Sequence, residues 1–210
     1  CNLAACYRAF VQFGWTDLIY THISARHPTD KDCYLINPYG LLFEEITASN
    51  LIAVDFDCNV IDGPDGFEPP REVRIHSEIF RARADVEAVV HTHSELAAAF
   101  TMVEDVELCL MKSHAVRWKS GIPIHPDPSH IMTPEQGREL ADTLGPHQGA
   151  LLRAHGGVLV AESVPALLVD AVHFDENARA QLQAAAIGRL KPLTEAELEL
   201  LSSRSNRDQH

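Results

Sequence analysis

Ala88-Val89-Val90-His91-Thr92-His93-Ser94 is an apolar run that closes on two histidines with one residue between them. It reads as a buried β-strand. In a strand, residues i and i+2 point to the same face, so His91 and His93 project together within reach of one ion. Imidazole nitrogens close on zinc at about 2.0–2.1 Å, and a catalytic zinc usually takes three protein ligands and keeps one position open. The candidate third ligand is His155, in Leu151-Leu152-Arg153-Ala154-His155-Gly156-Gly157, a second apolar strand that runs into a turn. An acid, Glu72, stands upstream in Pro69-Pro70-Arg71-Glu72-Val73-Arg74-Ile75-His76. Taken singly, each histidine also fits a satisfied core position. Glu72 alone also fits the first turn of a helix, where the dipole favours a carboxylate. The whole set, in this order, points to a metal centre.

The flanking sequence supplies the elements around it. Leu3 to Phe13 has helical spacing and stops at Gly14. Leu18 to Arg26 and Cys33 to Ile36 read as a strand hairpin, as do Ile52 to Phe56 and Val60-Ile61. Thr47 to Leu51 reads as a short helix capped by Thr47. A Pro/Gly-rich surface loop, Gly63 to Pro70, leads to a helix from about Arg71 to Ala84, with Val73, Ile75, Ile79, Phe80 and Ala84 inward. Ser94 to Met102 reads as a helix and Val106 to Met111 as a strand. Gly121 to Pro128 is too proline-rich for a regular element and reads as an exposed functional or interfacial loop. Thr133 and Gln136 form a capping box. Strands at Ala150 to Ala154 and Val158 to Ala161 precede a long helix from Ser163 to about Ile187. Thr194 and Glu197 cap a last acidic helix, and Ser202 to His210 read as a polar, frayed tail. Hairpins followed by helix–strand alternation predict an α/β fold, with one mixed sheet and helices packed on it.

The 210 residues suit one domain, residues 1–210, with a C-terminal helix and polar tail over 190–210. Hydrophobic residues make up 46% and charged residues 22%, which is ordinary for a globular chain able to bury a core without disulfides. A net charge of −13 disfavours nucleic acid and anionic membranes as partners. No apolar run approaches the roughly 20 residues of a membrane span. Five cysteines, with no Cys-x-x-Cys spacing, read as reduced thiols of a cytoplasmic protein. The chain opens on Cys1 rather than Met, which suggests an upstream start. Residues 1–6 do not have the pattern of a signal peptide.

The chain resembles the class II aldolase/adducin family from Gly14 to about Leu190. The resemblance is carried by Thr21-His22-Ile23-Ser24-Ala25-Arg26, Asn37-Pro38-Tyr39-Gly40-Leu41-Leu42, Glu72-Val73-Arg74-Ile75-His76, Val89-Val90-His91-Thr92-His93-Ser94 and Leu151-Leu152-Arg153-Ala154-His155-Gly156. It implies a three-layer α/β/α fold around a central mixed β-sheet. It also implies one divalent ion per subunit on His91, His93 and His155. Zinc is the expected ion, with manganese, nickel or iron as alternatives. By the same resemblance Glu72 is the general acid/base, and the protein is a homo-oligomer, tetramer or dimer, with sites between subunits.

The departures from the family pattern steer the functional reading. Sugar-phosphate aldolases of the family carry Gly-Asn where Thr21-His22 stands and serines where Pro70 and Arg71 stand. A phosphorylated substrate is therefore not expected. The tyrosines here are Tyr7, Tyr20, Tyr34 and Tyr39, so the family's late tyrosine is replaced or missing. Thr-His-Ile-Ser and Leu-Leu-Phe-Glu-Glu-Ile-Thr-Ala-Ser look more like the adducin branch, whose heads lack an acid at the position of Glu72.

The first expectation is a metal-dependent lyase acting on a small hydroxy-carbonyl or keto-acid substrate through an enediolate stabilised by the ion. Aldol cleavage, decarboxylation and epimerisation would share that apparatus. Glu72 would move the proton. Arg71, with Thr21 and His22, would contact substrate, Arg71 holding a carboxylate. His114 is a weaker candidate. The second expectation is an adducin-like, non-catalytic interaction module that keeps the fold. The third is another metal chemistry, such as oxygen activation at iron.

Overall fold

The computed structural model describes residues 2–204. Helix α1, Asn2–Phe13, stops where Gly14 takes a φ of +70°, a left-handed turn that glycine enters freely. Strands β1 (His22–Arg26), β2 (Cys33–Ile36), β3 (Ile52–Asp55) and β4 (Val60–Asp62) form an antiparallel meander. Helix α2 (Arg74–Ala82) leads into β5 (Ala88–Thr92) and the short α3 (Glu95–Ala99). Then come β6 (Ile124–His125), α4 (Pro134–Leu144), β7 (Gly149–Leu152) and β8 (Gly156–Ala161). Helices α5 (Val164–Ile187) and α6 (Glu195–Arg204) close the described chain. The strands make one sheet in the order β4-β3-β2-β1-β5-β8-β7-β6. Its neighbours are antiparallel except β6 and β7, which are parallel, so the sheet is mixed as expected.

Each face of the sheet has its own core. Leu3, Tyr7 and Phe10 of α1 and Leu167, Phe174 and Ala178 of α5 pack with Ile23, Val90 and Leu159. On the other face Ile75, Ile79 and Phe80 of α2 and Leu140 and Leu144 of α4 pack with Val54, Val89 and Val158. These are the three layers, α/β/α. The two-residue period is visible on β5, where Val90 joins the first core and Val89 the second. His91, two residues beyond Val89, therefore looks toward the α2 face.

Several elements differ from their sequence reading. The strand expected from Leu18 begins only at His22. Residues 17–20 form a turn in which Leu18 has a φ of +50° and the Tyr20 N–H donates to the Asp17 carbonyl. No helix forms at Thr47 to Leu51. The Asn50 side chain accepts from the Thr47 N–H and donates to the Glu45 carbonyl, closing a local turn. A 3₁₀ turn at Phe43–Glu45 precedes it. The helix expected over 71–84 is shorter: residues 71–73 form an irregular turn, and Ala84 is exposed. Glu72 thus stands just ahead of α2, its carbonyl accepting from the Ile75 N–H. The helix expected from Ser94 to Met102 spans five residues, with Ser94 as cap. The Gly121 to Pro128 loop contains β6. Residues 202–204 are helical, and the rest of the expected tail lies outside the described residues.

Val106 to Met111 is not a strand. Its backbone is paired instead by two buried side chains of α5. Gln181 accepts from the Cys109 N–H and donates to the Glu107 carbonyl. Asn177 accepts from the Met111 and Lys112 N–H groups and donates to the Cys109 carbonyl. Two primary amides do here what a neighbouring strand would do. Replacing Asn177 by Ala leaves three partly buried backbone groups without partners. At about 1–3 kcal/mol for an unsatisfied buried group, moderated by partial exposure, Asn177→Ala should cost about 1–2 kcal/mol in urea unfolding. An unchanged midpoint would refute this account of the segment.

Candidate metal centre

Strand register gathers the histidines. His91 stands opposite His22 on β1 and Val158 on β8. Its Nδ1 lies 3.2 Å from the Gly157 carbonyl oxygen. A carbonyl can only accept, so Nδ1 carries the hydrogen and a neutral His91 leaves a lone pair on Nε2. Burial and the neighbouring His22 push its pKa well below the ordinary histidine value, so His91 is neutral. His93 repeats the pattern, with Nδ1 2.8 Å from the Asp17 carboxylate. His155 follows β7 in a turn where Ala154 has a φ of +53°. Both its ring nitrogens are buried, with no hydrogen-bond partner among the described residues. Gly156 makes the close approach possible, since a Cβ there would fall 2.2 Å from the Thr92 carbonyl oxygen of β5.

The Nε2 atoms of His91 and His93 are 3.0 Å apart. Glu72 Oε2 lies 3.7 Å from His91 Nε2 and 3.5 Å from His155 Nε2. One ligand atom from each of these four residues falls within 4.8 Å of all the others. Ligands held at about 2.0–2.1 Å on a tetrahedron stand about 3.3–3.4 Å apart, so the spacing suits one ion. Facing lone pairs with no proton between them repel, and a cation among them removes the conflict. Three nitrogens and one carboxylate suit a divalent transition ion such as zinc.

Glu72 is buried, and its Oε1 accepts from the Ile131 N–H at 2.8 Å. Burial raises its pKa, but His155, His91 and the Ile131 amide more than offset this, and the carboxyl is held below its usual range. Arg71 is exposed beside it, its guanidinium carbon 5.5 Å from the Tyr39 ring centre. A cavity of about 470 Å³ is lined by His22, Tyr39, Arg71, Glu72, His93 and His130, among others. Thr21 does not join it. Thr21 faces a second, wider cavity of about 870 Å³ with Trp15, His93 and His155, as alternation along the chain requires. Its buried Oγ1 has no hydrogen-bond partner among the described residues. His114 lies elsewhere, stacked on His173 at 4.0 Å.

Two neighbours of the centre escaped sequence reasoning. Asp17, in the irregular turn before β1, holds His93. Exposed His130, between β6 and α4, places Nδ1 3.5 Å from Glu72 Oε2. Neither carries a spacing signal, because both arrive on irregular segments.

The match to known proteins follows this geometry. The model for the class II aldolase and adducin N-terminal domain matches residues 1–182, and the chain belongs to that family. A Caulobacter vibrioides protein of the aldolase class 2 type is 34% identical over 188 residues, covering 90% of this chain and 73% of its own. Rat alpha-adducin is 35% identical over 174 residues, 78% of this chain but only 22% of its own length. The crystal structure of an aldolase II superfamily protein from Pseudomonas syringae superposes with a TM-score of 0.86 at 32% identity, covering 97% of this chain and 82% of that one. L-fuculose 1-phosphate aldolase from Glaciozyma antarctica shares the fold, with a TM-score of 0.83 at 24% identity over 96% and 79%. No helix among the described residues is long and apolar enough to cross a membrane.

Two substitutions test the centre. The triple change of His91, His93 and His155 to Ala should abolish stoichiometric metal in a protein whose circular dichroism is unchanged; one retained equivalent of tightly bound metal would refute the site. Partners of a ligand's second nitrogen typically govern metal affinity by about 10–100-fold. Asp17→Asn should therefore weaken zinc by about that factor in chelator competition, and equal affinity would remove Asp17 from the centre.

Proposed function

We propose that the chain is a divalent-metal-dependent lyase acting on a small hydroxy-carbonyl or keto-acid substrate. His91, His93 and His155 hold the ion, zinc by preference. The observation that carries this reading is the convergence of three imidazoles on a carboxylate that also borders a cavity of small-molecule size. When bound, the ion supplies Lewis-acid polarisation of a carbonyl and neutralises charge developing on its oxygen. Glu72 moves the proton at the carbon next to that carbonyl. Its Oε1 is pinned by the Ile131 amide, which leaves Oε2 directed at the centre. Arg71, at the exposed rim, pairs with a substrate carboxylate, which its planar fork suits. The same groups serve aldol cleavage, decarboxylation or epimerisation. The protein works in the cytoplasm as a dimer or tetramer, with no nucleic acid or membrane as partner.

A second reading is favoured by the similarity to adducin: an interaction module that keeps the fold and the ion without turnover. Turnover separates the two, since a buried carboxylate at the ion can serve as a ligand in either reading and moves a proton only in the first.

Glu72→Gln keeps shape but cannot accept a proton. With small hydroxy-keto acids as substrates it should retain fold and metal and lose about 10²–10⁴ in rate, the usual worth of general acid–base catalysis. Wild-type turnover by the variant would overturn the assignment of Glu72. Failure of the metal-loaded wild type on the whole panel would favour the adducin-like reading.

A further inference from the structure

Behind the centre, three buried side chains run from the sheet to the smaller cavity. His76, in the first turn of α2, places Nδ1 2.5 Å from Ser24 Oγ and Nε2 2.6 Å from His22 Nδ1. Ring carbons cannot approach polar atoms so closely, so the orientation of these rings is fixed. Ser24 and His22 come from β1, two residues apart on the face that looks toward α2, and all three side chains are buried. His22 lines the cavity it shares with Arg71 and Glu72, and its ring centre lies 5.1 Å from that of His91. Its Nδ1 is committed to His76. Nε2 is therefore the polar side-chain atom that His22 can offer to a molecule in the cavity.

The direction of the chain decides what Nε2 offers. A neutral imidazole has one donor and one acceptor nitrogen. Ser24 Oγ has His76 as its only side-chain hydrogen-bond partner among the described residues. If His76 donated to Ser24, the Ser24 hydroxyl would be a buried donor without an acceptor, which folded proteins avoid. The opposite direction satisfies the Ser24 hydroxyl, both His76 nitrogens and His22 Nδ1. Ser24 O–H donates to His76 Nδ1, His76 Nε2–H donates to His22 Nδ1, and the hydrogen of His22 sits on Nε2. Each ring is neutral in this arrangement, with one donor and one acceptor nitrogen.

We propose that His22 presents an Nε2–H donor to the carbonyl oxygen of a substrate in this cavity, with His76 and Ser24 as positioning residues that set its tautomer. A neutral imidazole donor can polarise a carbonyl, and a preorganised donor counts most where negative charge develops. The inference takes its substrate from the lyase reading, but its tautomer is independent of that reading.

Long-range ¹H–¹⁵N correlation spectra of histidine-labelled protein, assigned with His22→Gln, read which nitrogen carries the hydrogen. The Nε2–H tautomer is expected for His22. Ser24→Ala should mix or reverse it, while Ser24→Thr, which keeps the hydroxyl, should preserve it. An Nδ1–H tautomer, or one indifferent to Ser24→Ala, overturns the proposal. For function, acetohydroxamate serves as a planar oxyanion probe on zinc-loaded protein. His22→Phe should weaken its binding at least tenfold, as loss of a hydrogen bond to a charged oxygen implies, and unchanged affinity overturns the donor role. A wild type that binds neither zinc nor the probe fails the lyase reading instead, and the tautomer then decides this inference by itself.

Discussion

Imidazole lone pairs set 3.0 Å apart, with a buried carboxylate beside them, do not stay together by their own attraction. The sheet holds them. Pairing of β5 with β8 on one side and β1 on the other fixes His91 between Val158 and His22. It also brings the Gly157 carbonyl to His91 Nδ1. That pairing in turn depends on Gly156, where any side chain would meet the Thr92 carbonyl and force the strands apart. The aliphatic core on each face, including Val89 and Val160 on one side and Val90 and Leu159 on the other, stabilises this geometry from both directions. The energy of folding thus maintains a cluster that electrostatics alone would disperse, in a spacing that could hold a cation.

Strand alternation also gives the centre two approaches. His22 opens on the cavity that holds Glu72 and Arg71, and Thr21 on the wider one beside Trp15. Asp17 borders both, because the irregular turn it sits in crosses in front of His93. Thr21 stands just ahead of β1 and His22 opens it, so that imidazole meets a second one, His76, which in turn meets the buried hydroxyl of Ser24.

Much of this was legible before the structure. The His-x-His run, the His before Gly-Gly and the acid upstream are brought together as expected, since each signal is local: a two-residue period, an apolar run, a turn. The capping box at Thr133 and Gln136 and the Ser163 cap were legible for the same reason. The failures were segments whose partners are distant. Val106 to Met111 has strand composition, but its hydrogen bonds come from Asn177 and Gln181, about 70 residues on. Leu18 to Tyr20 look like strand, yet both ends of that stretch are exposed and its backbone closes a turn onto Asp17 instead of joining the sheet.

The sequence by itself determined the fold class and the residues able to bind an ion, because residue chemistry and periodicity are written locally. Only the tertiary structure decided which groups stand behind those residues. Asp17 reaches His93 across 76 positions, Ser24 reaches His76 across 52, and Ile131 reaches Glu72 across 59. Such bonds are set by strand register and by helix packing against the sheet. They fix the orientation of each ring and carboxylate, and spacing along the chain carries no record of them.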